Sequence, residues 1–159
     1  MKTLLSFGVV VLLVGMSALA QSGSENPADI ESVRNHLIGA WRLAWLEEPG
    51  ADGKVHRTEC TGLLVYTSDG HMSVQVMYRS PQGASSAAPV QYAQGGYEAS
   101  FGTYRIDERS HTFVFHVEGA LVRTLVGQDL KRAYELSGNQ LIVKPSDTSE
   151  RWRVAWERY

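Results

Sequence analysis

The chain has 159 residues, 43% of them hydrophobic and 20% charged, with a formal net charge of −2. This is globular composition, which excludes a disordered or collagen-like chain. Its basic residues are dispersed, so there is no electrostatic footprint for a phosphate backbone, and no basic amphipathic helix suggests adsorption to a membrane surface.

The first segment differs from the rest. Met1-Lys2 is followed by an apolar run from Leu4 to Val14, then by Ala18-Leu19-Ala20 before Gln21. A basic start, a short apolar core and an A-x-A exit predict a secretory signal peptide over residues 1–20, and hence a secreted or periplasmic protein. The run is shorter than the roughly 20 apolar residues of a membrane span. No second candidate follows, so no transmembrane segment is expected in the mature chain. Cleavage after Ala20 would leave 139 of the 159 residues, enough for one domain with one core.

Residues Gln21 to Glu25 read as a polar leader. Asn26-Pro27-Ala28-Asp29 then has the residues of a helix start, an N-cap, a proline at the first position and an acid in the first turn. Ile30, Val33, Leu37 and Ile38 form one apolar stripe that Gly39 terminates. Residues 21–36 are therefore leader and short helix, and the main domain is expected over 37–159.

From Trp41 onward the dominant period is two. Strands are predicted at Trp41–Glu48, Lys54–Glu59, Thr61–Thr67, His71–Tyr78, Ala99–Ile106, Thr112–Glu118, Leu130–Leu136, Gln140–Lys144 and Arg151–Glu157. Ser68-Asp69-Gly70 and Ser137-Gly138-Asn139 are among the tight turns between them. Short strands joined by tight turns predict an all-β, antiparallel up-and-down barrel, since closing the meander removes its edges. The segment from Arg79 to Gly96 breaks this rhythm and is expected to hang over one end as a lid or a passive insertion.

Few residues carry overt chemistry. Cys60 is the only cysteine, which rules out an internal disulfide and leaves a buried inert thiol or a reactive one. The five histidines make no tight ligand pair, so no metal is expected. Neither a G-x-S-x-G elbow nor a nucleotide-binding glycine loop is present, and no cofactor is expected. Attention turns to the barrel interior, because barrels of about eight strands either fill themselves or hold one small ligand.

Strand alternation puts Ser73, Gln75 and Met77 on one face opposite Met72, Val74 and Val76. Gly102, Tyr104 and Ile106 share a face, as do Leu130, Arg132, Tyr134 and Leu136. An Arg on an otherwise apolar face wants an anionic partner, Glu118 or a ligand, unless it snorkels out at the rim. Tyr66, Gln75, Tyr104, Arg132 and Tyr134 are the candidate ligand contacts. His116 and Glu118 are the candidate catalytic groups, with the inward face of Thr112–Glu118 left open between His116 and the Phe113, Phe115, Val117 set.

At Gly39-Ala40-Trp41, after a short helix and at the head of the first strand, the chain resembles the lipocalin signature. The block Gly62-Leu63-Leu64-Val65-Tyr66-Thr67-Ser68-Asp69-Gly70-His71-Met72-Ser73-Val74-Gln75 is similar to the GLLIYTPDGRMSVQ block of the bacterial and fungal lipocalin-like domain family. Phe101-Gly102-Thr103-Tyr104, His116-Val117-Glu118-Gly119 and Trp156-Glu157-Arg158 resemble its later blocks, and the likeness spans Leu37 to Arg158. The chain departs from it at Arg123-Thr124-Leu125, where the family usually carries a Pro-Asn-Trp-like element. The resemblance implies a small-molecule-holding barrel whose signature Trp is covered by a late-strand Arg, here Arg151, Arg153 or Arg158.

Three functions follow as expectations. The first is an exported binder of a small apolar or weakly anionic molecule, with no nucleic-acid partner. The second is a cofactor-independent isomerase or cyclase, with His116 or Glu118 as base and Arg132 or Tyr104 steadying negative charge. The third is a barrel filled by Trp45, Phe113 and Phe115 that meets other proteins through Tyr92, Tyr97 and Tyr159.

Overall fold

The computed structural model describes residues 33–79 and 92–159. The expected signal peptide, polar leader and helix start, and most of the segment between Arg79 and Gly96, lie outside the described residues. Residues 33–37 are helical. Nine strands follow: β1 (Gly39–Pro49), β2 (Val55–Thr58), β3 (Cys60–Tyr66), β4 (His71–Tyr78), β5 (Tyr97–Asp107), β6 (Thr112–Ala120), β7 (Asp129–Ser137), β8 (Gln140–Pro145) and β9 (Arg153–Arg158).

Every pairing is antiparallel and sequential neighbours pair, except that β1 takes β2, β3 and β9. β3 pairs with Gly39–Arg42 and β2 with Leu46–Pro49, so β2 and β3 act as one strand interrupted at Glu59. The β1–β9 ladder closes the sheet into an eight-stranded barrel. Closure satisfies the backbone donors and acceptors that an open edge would present. A 3₁₀ turn at Arg123–Leu125, absent from the predicted elements, sits between β6 and β7 and buries Leu125.

Two irregularities re-aim side chains. In β1 the register shifts between Leu43 and Trp45, making Ala44 an extra residue. Without that bulge Trp45 and Glu47 would continue the inward face begun by Trp41 and Leu43. With it, Leu46 and Glu48 turn inward and are buried. Trp45 is instead outside, with the guanidinium carbons of Arg57 and Arg153 5.1 and 5.3 Å from its ring centre. It therefore does not fill the barrel.

The second shift, between Phe101 and Gly102, pairs Gly102 with Val117 and Phe101 with Gly119, leaving Glu118 as the extra residue on β6. Gly102 is needed here. A Cβ on it would stand 2.0 Å from the His116 carbonyl oxygen, so only glycine allows the two backbones to approach.

One end of the barrel is closed by the N-terminal signature. Leu37 and Trp41 are fully buried, and the Trp41 indole donates to the Leu37 carbonyl at 2.8 Å. Arg158 lies over Trp41, 4.3 Å from the ring centre, and donates to the Ile38 carbonyl at 2.9 Å and to that of His36. Arg158 is thus the late-strand Arg that covers the Trp, whereas Arg153 serves Trp45 and Arg151 donates to the Gly53 carbonyl at 3.2 Å. A half-exposed cation–π contact of this kind contributes about 1 kcal/mol. Gly39 makes room for it: its φ is +127°, and a Cβ there would be 2.8 Å from the Arg158 guanidinium.

Candidate functional site: a cavity with an acid-rich mouth

Inside the barrel, between the closed end and the opposite mouth, lies a cavity that opens to solvent at that mouth. The alternation of each strand supplies its wall. Leu64, Met72, Val74, Val76, Phe113 and Phe115 make its apolar body. The Phe face of β6 is the inward one, as burial of Phe113, Phe115 and Val117 shows. These rings line the space without filling it.

The polar lining is sparse and concentrated. Glu48 (β1), Tyr78 (β4), Glu98 and Ser100 (β5) and Arg132 (β7) line the cavity together with Tyr92 and Trp152. Strand direction places Glu48, Tyr78 and Glu98 near the strand ends at the mouth. Glu48 accepts from Thr58 at 2.9 Å and from the Tyr78 phenol at 3.4 Å. Burial pushes its carboxyl above the ordinary range, with the two hydrogen bonds opposing.

Burial also raises Glu98 to about 7; Arg132 lowers it in part and the Glu48 charge adds to the rise. The Tyr78 phenol is pushed up by burial first, then by the fields of Glu48 and Glu98.

Arg132 is held in a cage. Its guanidinium carbon is 5.3 Å from the Tyr92 ring centre and 5.1 Å from that of Trp152. It donates to the Tyr92 hydroxyl at 2.7 Å and stands 3.6 Å from Glu150. Glu150 in turn accepts from Tyr92 at 2.6 Å and from the Trp152 indole at 2.7 Å. The Arg132 and Glu150 side chains are only 10% and 9% exposed.

The anionic partner of Arg132 is therefore Glu150, in the segment before β9. It is not Glu118, which is exposed on the outside. Glu150 was hidden in the sequence because it lies outside any alternating strand.

The expected contact residues separate. Tyr66 and Arg132 line the cavity. Gln75 does not; it shares the outer face of β4 with Ser73 and Met77, while Met72, Val74 and Val76 turn inward. Tyr104 and Tyr134 are buried at the closed end. Tyr104 stacks edge-on against Tyr66 and donates to the Thr67 carbonyl at 3.2 Å, and Tyr134 stacks on His111.

His116 and Glu118 are exposed on the outer surface, where His116 meets Asp129 at 2.7 Å. Neither reaches a molecule inside the barrel, because the wall of β6 intervenes. Sequence reasoning missed Glu48, Glu98 and Glu150. Among the described residues no group of three His, Cys, Asp or Glu side chains is placed to hold a metal. Cys60 is half-buried beside Glu48, and burial pushes its thiol to about 11, far from a reactive thiolate.

Deepest of the polar groups is the Tyr66 hydroxyl. The residue is 1% exposed, lines the cavity, and its oxygen has no hydrogen-bond partner. An orphaned buried hydroxyl costs about 1–3 kcal/mol unless water or a ligand meets it.

A closed antiparallel barrel with a largely apolar cavity and a few polar groups at one end defines a lipocalin-like architecture. The chain belongs to the lipocalin-like domain family, whose model matches residues 38–159. Among solved structures it is similar to a lipocalin-like protein from Bacteroides uniformis ATCC 8492, with 13% identity, a TM-score of 0.47, and coverage of 78% of this chain and 99% of that one. It is also similar to an uncharacterized protein from Bacteroides eggerthii DSM 20697, with 13% identity, a TM-score of 0.45, and 77% and 99% coverage. A third match is a mutant of the fluorescent protein UnaG, at 11% identity, a TM-score of 0.40, and 79% and 97% coverage. No curated protein matched the chain.

Proposed function

We propose that this protein is an exported binder that holds one small, largely apolar molecule inside its barrel. The observation that carries this reading is the cavity itself, walled by apolar strand faces, with the buried Tyr66 hydroxyl left without a partner at its wall. Ligand sites are typically apolar clefts with a small number of placed polar groups, and this lining has that character. Rings that were candidates for filling the barrel line it or lie outside it. Export rests on the A-x-A segment at Ala18-Leu19-Ala20.

Native mass spectrometry of the protein purified from its own source, followed by denaturation, tests the binding. A stoichiometric small molecule released on unfolding is expected. A protein that carries nothing and also takes up no apolar probe overturns the reading. N-terminal sequencing of the exported form, expected to begin at Gln21, tests the processing.

A further inference from the structure

We infer that the cavity selects a ligand whose apolar body carries a basic, hydrogen-bond-donating nitrogen, an amine in chemical class, seated between Glu48 and Glu98. This rests on the ligand-holding reading above and names the kind of molecule held.

The first ground is the charge inventory of the wall. Arg132 is the one cation among its described lining residues, against the carboxyls of Glu48 and Glu98. Arg132 is already committed. Glu150 supplies its counter-charge, Tyr92 and the Lys131 carbonyl take its N–H groups, and the Tyr92 and Trp152 rings stand beside its guanidinium. An incoming carboxylate would have to displace Glu150 from Arg132, Tyr92 and Trp152, and would meet two further acids. This departs from the weakly anionic ligand expected from an unpaired Arg132.

The second ground is what the acids lack. Among the described residues the Glu48 carboxyl is met only by the neutral hydroxyls of Thr58 and Tyr78, and no hydrogen bond reaches the Glu98 carboxyl. The groups whose fields reach Glu98 are Glu48 from β1, Tyr78 from β4 and Arg132 from β7, with the Tyr92–Glu150 pair behind Arg132. A cation with N–H donors would neutralise the repulsion between Glu48 and Glu98 and satisfy both. The third ground is independent of the acids. The unpartnered Tyr66 hydroxyl marks a second polar position farther along the wall, near the closed end.

The test is calorimetric titration of the full chain at pH 8 with n-decylamine, 1-decanol and decanoate, each below its micellar or solubility limit. Decylamine is expected to bind at least tenfold tighter than decanoate. In Glu98→Gln the amine is expected to weaken at least tenfold while decanol stays within twofold; Glu48→Gln serves if the first variant fails to fold. Decanoate binding as tightly as the amine overturns this inference and leaves the ligand-holding reading standing. So does an amine preference that survives both substitutions, because that would be adsorption to the acidic surface. Failure of all three probes overturns the holding of apolar molecules and this inference with it.

Discussion

Replacing Glu98 with Gln should stabilise the empty protein, and only above mildly acidic pH. Burial is the main cause that lifts the carboxyl from 4.5 to about 7, with Arg132 opposing and Glu48 assisting. A rise of that size corresponds to about 3 kcal/mol; because the side chain keeps some exposure, about 2 kcal/mol is expected. The sign follows from where each state releases its proton. Below 4.5 the carboxyl is neutral folded and unfolded, and the group costs nothing. Between 4.5 and 7 the unfolded chain has ionised and the folded chain has not, so stability falls as pH rises. Above 7 the full penalty is present.

Glutamine has the same shape and no such penalty. Urea denaturation of both proteins from pH 4.5 to 8 should show the variant's advantage growing from near zero to about 2 kcal/mol, with m unchanged. The carboxylates held low by their partners, such as Glu47 beside Arg153 and Arg57, are common to both proteins and cancel. A difference that is flat with pH, or that favours the wild type at pH 8, would refute the placement of Glu98 in a desolvated site.

Glu150→Gln should cost about 3 kcal/mol by leaving the Arg132 charge buried without its counter-ion; a loss below about 1 kcal/mol in urea denaturation would show that Glu98 takes over the pairing. Tyr66→Phe should stabilise the empty protein by about 1 kcal/mol, the low end of the cost of an orphaned hydroxyl, since it removes a hydroxyl that has no partner; a loss of stability would mean that the oxygen is satisfied. Gly102→Ala should cost about 3 kcal/mol or prevent folding, because its Cβ would lie 2.0 Å from the His116 carbonyl oxygen. Thermal unfolding of that variant within a degree or two of wild type would contradict the close crossing of β5 and β6.

Much of the architecture was legible because local physics and global fold agree. The period-two runs and tight turns from Trp41 onward foretold the meander, and the observed strands differ from the predicted ones mainly at their ends, as where β5 begins at Tyr97. The Gly39-Ala40-Trp41 signature placed the closed end and required an Arg to cover it, though it left three arginines to choose from. The ambiguous β6 resolved as simple burial favours, with the Phe face inward.

The site was far less legible. Period-two reasoning assumes an unbroken strand, and a bulge at Ala44 is invisible to it. That one extra residue exchanged Trp45 for Leu46 on the inner face and swung Glu48 into the cavity. Arg132 was recognised as an oddity on an apolar face, yet its partner Glu150 is 18 positions away, in a segment with no periodicity to betray it. By itself, then, the sequence determined the strand series and its closure, because these follow from alternation and turn chemistry along the chain, while the capping tryptophan was implied by the likeness to the family signature. Only the tertiary structure decided which acids share the cavity and which cation is already taken, because those depend on the bulge at Ala44 and on contacts between segments far apart in sequence.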